Sequence, residues 1–427
     1  MRRAAQLLGQ ALQASAASPS TSLGSCNGQA IIGASARQHV HHAHVGVHRA
    51  MSLLSLGRDL FTAPARKGYV QSWEDVEGNA ETIEPFSLVA EEVSIVGERL
   101  RNSVLSSVPA LRQAAEYFFR SGVEGKRLRP TLALLMASAF SSEAPSRDYL
   151  KVDLSPASEH APELRRRQQR LAEISETIHV ASLLHDDVID DATMRRGITA
   201  LNCTVGNKVA ILAGDFLLAR ASVSLAALEN TTVVKLMSNV LENLVAGEIM
   251  QMTASQEQLL DMDFYLQKTY CKTASLMANS AKSIAVLAGE GDAVCAVAEG
   301  YGRHLGLAFQ IVDDVLDFTS SSAILGKPSL NDIKSGLATA PLLFAVQEQP
   351  ALRPLIMRKF KSDGDLATAV SLLSQSQGIA RAKELAAHHA AMAADLIRAL
   401  PEAQSVHAAI CRAALIKITQ KVLTRSK

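Results

Sequence analysis

Residues 179–197 read HVASLLHDDVIDDATMRRG, with four aspartates, Asp186, Asp187, Asp190 and Asp191, set directly behind an apolar run. At about 100° per residue, Asp186 and Asp190 fall one turn apart on the same face of a helix. Like charges at that spacing destabilise an isolated helix by about 0.3 kcal/mol, yet the neighbouring Ala181-Ser182-Leu183-Leu184 points into a core. Residues 308–318 read AFQIVDDVLDF and repeat the geometry with Asp313, Asp314 and Asp317. A single acidic run is ordinarily a solvated face. Two copies with matching spacing and apolar flanks instead predict two helices whose acids face each other and are neutralised by a cation. Hard divalent ions meet that need, because Mg²⁺ takes one or two carboxylates and completes its octahedron with water and phosphate oxygens. A calcium EF-hand is excluded, since that loop needs alternating ligands around a central Gly.

Short basic segments lie near both clusters. GVEGKRLRP presents Lys126, Arg127 and Arg129 just before Pro130, and MRRG presents Arg195 and Arg196 after the first acidic helix. Each alone reads as an exposed turn, but beside two acidic clusters they suit phosphate oxygens, which Arg grips as a fork and Lys as a point charge. A diphosphate held between the clusters by several Mg²⁺ ions accounts for both sets of charges.

Outward from these motifs, the chain from Pro85 on places Ala and Leu at three- and four-residue spacing and has almost no alternating β-branched runs, which predicts an all-α fold, one large helical bundle with a central cavity over 85–427. Pro130 opens one helix. The polar stretch from Ser141 to Pro162, with Pro145, Pro156 and Pro162, predicts a surface loop. A long helix follows from Glu163 through Asp190, another covers KVAILAGDFLLARASVSLAAL, and Pro401 separates the last two. No fixed-period repeat marks a solenoid.

Composition limits the remaining classes. Apolar residues make up 48% and the net charge is +1, so a core is amply supplied and no broad attraction to nucleic acid exists. Cys26, Cys203, Cys271, Cys295 and Cys411 show no C-x-x-C spacing and read as reduced thiols. No uninterrupted apolar run reaches the roughly 18 residues of a membrane span, which predicts a soluble or peripheral protein. Residues 1–58 contain no Asp or Glu and carry Arg2, Arg3, Arg37, Arg49 and Arg58 among Ser and Ala. That is the composition of an organellar transit peptide, mitochondrial in preference to plastid, with 59–84 as linker.

The motifs GKRLRP, LLHDDVIDDATMRRG, KTASL and FQIVDDVLDF…GKP…ND, in this order, resemble the trans-isoprenyl (polyprenyl) diphosphate synthases, and within them the long-chain solanesyl type of plant and algal mitochondria. The resemblance covers the chain from about Pro85 onward and implies the isoprenoid synthase bundle, Mg²⁺ as cofactor, and isopentenyl diphosphate with an allylic prenyl diphosphate as substrates. It implies that Asp186 and Asp190, with Asp187 close by, hold Mg²⁺ on the allylic diphosphate, and that Asp313, Asp314 and Asp317 complete the cage, Asp313 and Asp317 as ligands. Arg195, Lys272, Thr273 and Gln310 then match allylic diphosphate contacts, Lys126, Arg129, His179 and Arg196 match the isopentenyl diphosphate site, and Lys327 matches the substrate-binding Lys of the family's GKP. One departure concerns the segment after GKP, where Leu337 stands at the position of a family Lys, with Lys334 nearby. Ala181 and Ser182, five and four residues before Asp186, are small where shorter-chain relatives carry aromatics, which implies an open tunnel and a long product. Family members form homodimers or heteromers. The alternatives are a shorter-chain synthase, a non-catalytic subunit and a terpene cyclase; the last two ordinarily lack one of the acidic motifs, and both are complete here.

Overall fold

A computed structural model describes residues 83–103, 108, 117, 127–141, 163–195, 197–319 and 330–426. All belong to the compact unit Gly57–Lys427. The expected leader, the polar stretch after Ser141, and the basic residues Lys126, Arg196 and Lys327 lie outside the described residues.

The described chain is helical almost throughout: α1 (Ala90–Ser103), α2 (Leu128–Ala139), α3 (Glu163–Ile189), α4 (Leu201–Val205), α5 (Asn207–Ala226), α6 (Thr231–Thr253), α7 (Met262–Thr269), α8 (Ser275–Leu287), α9 (Asp292–Thr319), α10 (Asn331–Lys334), α11 (Ala340–Glu348), α12 (Leu352–Met357), α13 (Asp365–Ser374), α14 (Gly378–Arg398) and α15 (Val406–Thr424). A two-stranded hairpin, β1 (Met194–Arg195) against β2 (Ile198–Thr199), interrupts them where the sequence predicts only a helix end, and it turns through Gly197 at φ 81°.

Start signals agree with local chemistry. Asn230 accepts the Val233 amide at 3.0 Å, Asp261 the Asp263 amide at 2.9 Å, and Ser405 the Ala408 amide at 3.1 Å, each satisfying a donor that a helix leaves orphaned. The long helix α3 buries Leu171, Ile174, Ile178, Ala181 and Leu184. Full burial of an aliphatic side chain of that size contributes about 2 kcal/mol. It ends one residue short of the expected Asp190, because Asp191 adopts φ 49° and the Ala192 amide closes on the Asp187 carbonyl at 2.9 Å, a left-handed cap. At the centre, α9 packs most extensively on α14 and α8, while α3 packs on α5 and α2.

Helix α5 departs from the sequence expectation. Although no uninterrupted apolar run is present, it averages a hydropathy of 1.7 and is long and apolar enough by composition to cross a membrane. One face, with Ala210, Ala213, Leu217 and Ala221, is buried, whereas Ile211, Leu212 and Val223 are exposed. It is thus a bundle helix with a second apolar face.

Candidate active site

Adjacent aspartates of the first cluster have opposite fates. Asp187 shares a helix face with the buried Leu184, is 1% exposed, and closes on Arg195. Arg195 Nε donates at 2.7 and 2.8 Å to the two carboxylate oxygens, and a second nitrogen lies 2.5 Å from Oδ1. The hairpin makes this possible by folding Arg195 back over the end of α3. Asn202 Nδ2 secures the same corner, donating to the carbonyls of Asp187 and Ala192 at 3.1 Å each. Arg195, matched by resemblance to a diphosphate contact, therefore holds the cluster's inner aspartate in place.

Asp186 and Asp190 occupy the other face. Burial pushes Asp186 up to about 6; Lys272 opposes that shift, and Glu248 and Asp190 reinforce it. Asp190 is raised for the same first reason, burial, with Lys272 again opposing and Glu248 again reinforcing. Lys272 is ion-paired to Glu248 on α6. Among the described residues no three His, Cys, Asp or Glu side chains converge as a ready-made metal centre. The donors nevertheless suit Mg²⁺: two hard carboxylates one turn apart, raised by burial and by the negative Glu248, a strain that a bound divalent ion would relieve.

The second cluster divides its work three ways. Asp313 is exposed and takes a hydrogen bond from Arg425 at 2.8 Å, whose guanidinium also stacks 3.9 Å from the Phe309 ring and donates to the Phe309 carbonyl at 2.9 Å. Asp314 is buried and accepts from Tyr265 Oη at 2.6 Å and Gln310 Nε2 at 2.9 Å. Asp317, expected as a metal ligand, accepts the backbone amides of Asn331 and Asp332 at 2.9 and 3.0 Å and so caps α10. Asp332 is held well above the usual carboxylate range by burial and then by the negative Asp314, Asp317 and Asp313, while burial depresses Lys268 nearby.

Between α7 and α8 the chain widens into a single π turn, Tyr270–Ala274. This is the segment KTASL begins in, and π turns recur at functional sites because the extra residue re-aims side chains. Lys272 is directed to Glu248 and the first cluster, while Thr273 donates to Gln310 Oε1 at 2.9 Å, and Gln310 in turn holds Asp314. One turn thereby links the two acidic clusters.

Of the remaining expectations, His179 is half-buried, and Arg129 lines a narrow cleft alongside Leu132, Met136, Ser175, Met277 and Tyr301. Ala181 is fully buried, and the Ser182 hydroxyl donates to the His179 carbonyl at 2.9 Å. Sequence reasoning passed over Glu248, Tyr265, Lys268, Asp332 and Arg425. Asp332 sits inside the quoted ND, and Lys268 stands one turn before Lys272, but isolated ionisable residues carry no signal without their tertiary neighbours.

An all-α bundle that brings two Asp-rich helices to one cationic turn defines a diphosphate-handling prenyltransferase. The Polyprenyl synthetase family profile matches residues 108–373, and the chain belongs to that family. It is 53% identical to solanesyl-diphosphate synthase 1, mitochondrial, of Oryza sativa subsp. japonica, over 81% of this chain and 79% of that protein. It is 50% identical to solanesyl diphosphate synthase 3, chloroplastic/mitochondrial, of Arabidopsis thaliana, over 87% of each. Among solved structures, the apo form of an Arabidopsis medium/long-chain length prenyl pyrophosphate synthase superposes with a TM-score of 0.64 at 45% identity, covering 81% of this chain and all of that one (100%).

Proposed function

We propose that this enzyme is a long-chain trans-polyprenyl diphosphate synthase that extends an allylic diphosphate with isopentenyl diphosphate, making a solanesyl-type side chain for a quinone. The observation that carries this is the Asp186 and Asp190 pair beside Lys272, two carboxylates that burial and the negative Glu248 push up and that a divalent cation would hold ionised. In the reaction the allylic C–O bond breaks and the diphosphate departs with the electron pair. The isopentenyl double bond then joins the allylic carbon, and a proton is lost to the diphosphate.

Asp186 and Asp190 would hold Mg²⁺ from α3 and Asp313 from α9, with Asp317 as a further candidate once α10 yields its carboxylate. Bound Mg²⁺ supplies Lewis-acid stabilisation to the leaving diphosphate. Lys272, with Thr273 and Gln310, orients that group by positive charge and hydrogen bonds. Asp187 and Asp314 are buried and act by positioning. Lys126, Arg129, His179 and Arg196 form the isopentenyl diphosphate side and Lys327 a further substrate contact. The growing tail passes Ala181 and Ser182 toward the cleft at Ser175, eleven residues and about 16 Å before Asp186 along α3.

Residues 1–58 direct the chain to the mitochondrion, 59–84 link, and 85–427 catalyse. The chain self-associates through the exposed apolar side chains of α5 and α6: Ile211, Leu212, Val223, Val245, Ile249 and Met252. Incubating the purified protein with radiolabelled isopentenyl diphosphate and an allylic starter, then chromatographing dephosphorylated products, tests the function. Long-chain alcohols are expected. No elongation under Mg²⁺ refutes the reading, and short products alone move it to the shorter-chain class. Asp186→Ala abolishes turnover with an unchanged circular dichroism spectrum.

A further inference from the structure

Glu248 has no role in the chemistry so far, yet three separate features converge on it. First, it forms the ion pair with Lys272, with side chains only 13% and 24% exposed. Second, its other oxygen is engaged by Gln251 Nε2 at 3.4 Å, one turn on, which limits how the carboxylate turns. Third, the preceding residue is Gly247, where an added Cβ would fall 2.7 Å from Lys272 Cγ, 2.9 Å from Cys271 Cβ and 3.2 Å from the Lys272 backbone nitrogen. Helix α6 thus meets the π turn at a point where only glycine fits, and the next side chain catches the lysine that the turn presents.

The electrostatic setting agrees. Glu248 and Lys272 are the strongest charged neighbours of both Asp186 and Asp190. With Asp187 neutralised by Arg195, the carboxylates of Asp186, Asp190 and Glu248 face the ammonium of Lys272 among the described residues. A lysine with four rotatable bonds in such a field would settle against either aspartate and block the face a cation needs. Glu248 draws it to the far side.

The geometry points to Glu248 as a positioning residue that parks the Lys272 ammonium beside the first Asp pair and releases it to the diphosphate, with Gly247 providing the close approach that sets the distance. This rests on the reading of Lys272 as a diphosphate contact. The carboxylate touches no reacting atom; it acts through Lys272. Fixing the ammonium before substrate arrives removes its ordering from the barrier, which is the benefit of preorganisation.

Two consequences separate this role from simple packing. The isosteric Glu248→Gln keeps the volume and the hydrogen bond to Gln251 but not the ionic hold. It is expected to lower kcat by about tenfold or more, the usual scale for losing an outer support of a charged ligand. KM for the allylic diphosphate, and the dissociation constant of inorganic pyrophosphate measured by calorimetry on the full chain, stay equal or fall, since one repelling charge is gone. The second consequence is coupling: in a Lys272→Ala background the Glu248→Gln loss shrinks to less than about twofold, because residues acting as a unit are non-additive.

The experiment is the four-member cycle of wild type, Glu248→Gln, Lys272→Ala and the double variant, each assayed for kcat, KM, pyrophosphate binding and thermal midpoint. The expected pattern is a kcat-dominated, non-additive loss with an unchanged midpoint. Wild-type kcat in Glu248→Gln, a loss that persists undiminished without Lys272, or a fall in midpoint that parallels the fall in activity overturns the proposal. Full activity in Lys272→Ala by itself overturns the diphosphate reading of Lys272 as well, so the two failures are distinct.

Discussion

At the residue scale, helix phase sorts neighbouring aspartates that look alike in the sequence. Asp186 and Asp190 share a face, while Asp187 lies about 100° round on the side of Leu184 and is buried against Arg195. Removing one partner of such a pair leaves an uncompensated charge. Arg195→Ala is expected to destabilise the fold by about 2 kcal/mol, allowing for the quarter of the arginine that remains in water, and urea unfolding measures it. Asp190→Asn leaves unfolding unchanged and raises the Mg²⁺ concentration needed for half-maximal activity, measured by titrating the metal. The phase of the first cluster was legible, because apolar periodicity marks the buried face. The capping role of Asp317 was not, since its partners Asn331 and Asp332 lie fourteen and fifteen residues away in the chain.

At the element scale, the π turn depends on a close approach by α9. A Cβ on Gly306 would fall 2.6 Å from Ala274 Cα, so Gly306→Ala must push α9 from the turn. The expected cost is about 1–3 kcal/mol of stability, read by denaturant midpoint, with a parallel loss of activity as Thr273 separates from Gln310. The packing of α9 on α14 carries a buried histidine pair, His304 Nδ1 to His389 Nδ1 at 2.9 Å, with neither Nε2 hydrogen-bonded. Burial, followed by the neighbouring histidines and Arg303, holds His304 down at about 3; burial, His388 and Arg303 hold His389 at about 4. Below the ordinary histidine value of about 6.5 the unfolded chain binds protons that the folded chain refuses. The pair's contribution is therefore full above about 6.5 and is lost as pH falls toward 4. Thermal midpoints should decline across that window, and the slope should flatten in His389→Leu. Helices were readable from apolar spacing and from Pro130 at one start. The hairpin at Met194 and the π turn were not, because each is defined by where its side chains close, Arg195 on Asp187, Lys272 on Glu248 and Thr273 on Gln310.

At the scale of the whole molecule, α5 and α6 expose Val223, Val245, Ile249 and Met252, large apolar side chains that a lone chain would leave in water. Val223→Glu combined with Ile249→Glu is expected to halve the sedimenting mass in analytical ultracentrifugation while leaving helicity intact. A fluorescent fusion of residues 1–58 is expected in mitochondria, and plastid fluorescence refutes that part of the reading. The all-α class, the two acidic clusters and the family were all present in the linear chain, because helix periodicity and motif order are properties of neighbours in sequence. Which aspartate closes on Arg195, which one caps α10, and which glutamate holds Lys272 were decided only in three dimensions. Those choices rest on contacts across many residues, such as Gly247 against the π turn, whose energies depend on burial and distance and leave no mark on local spacing.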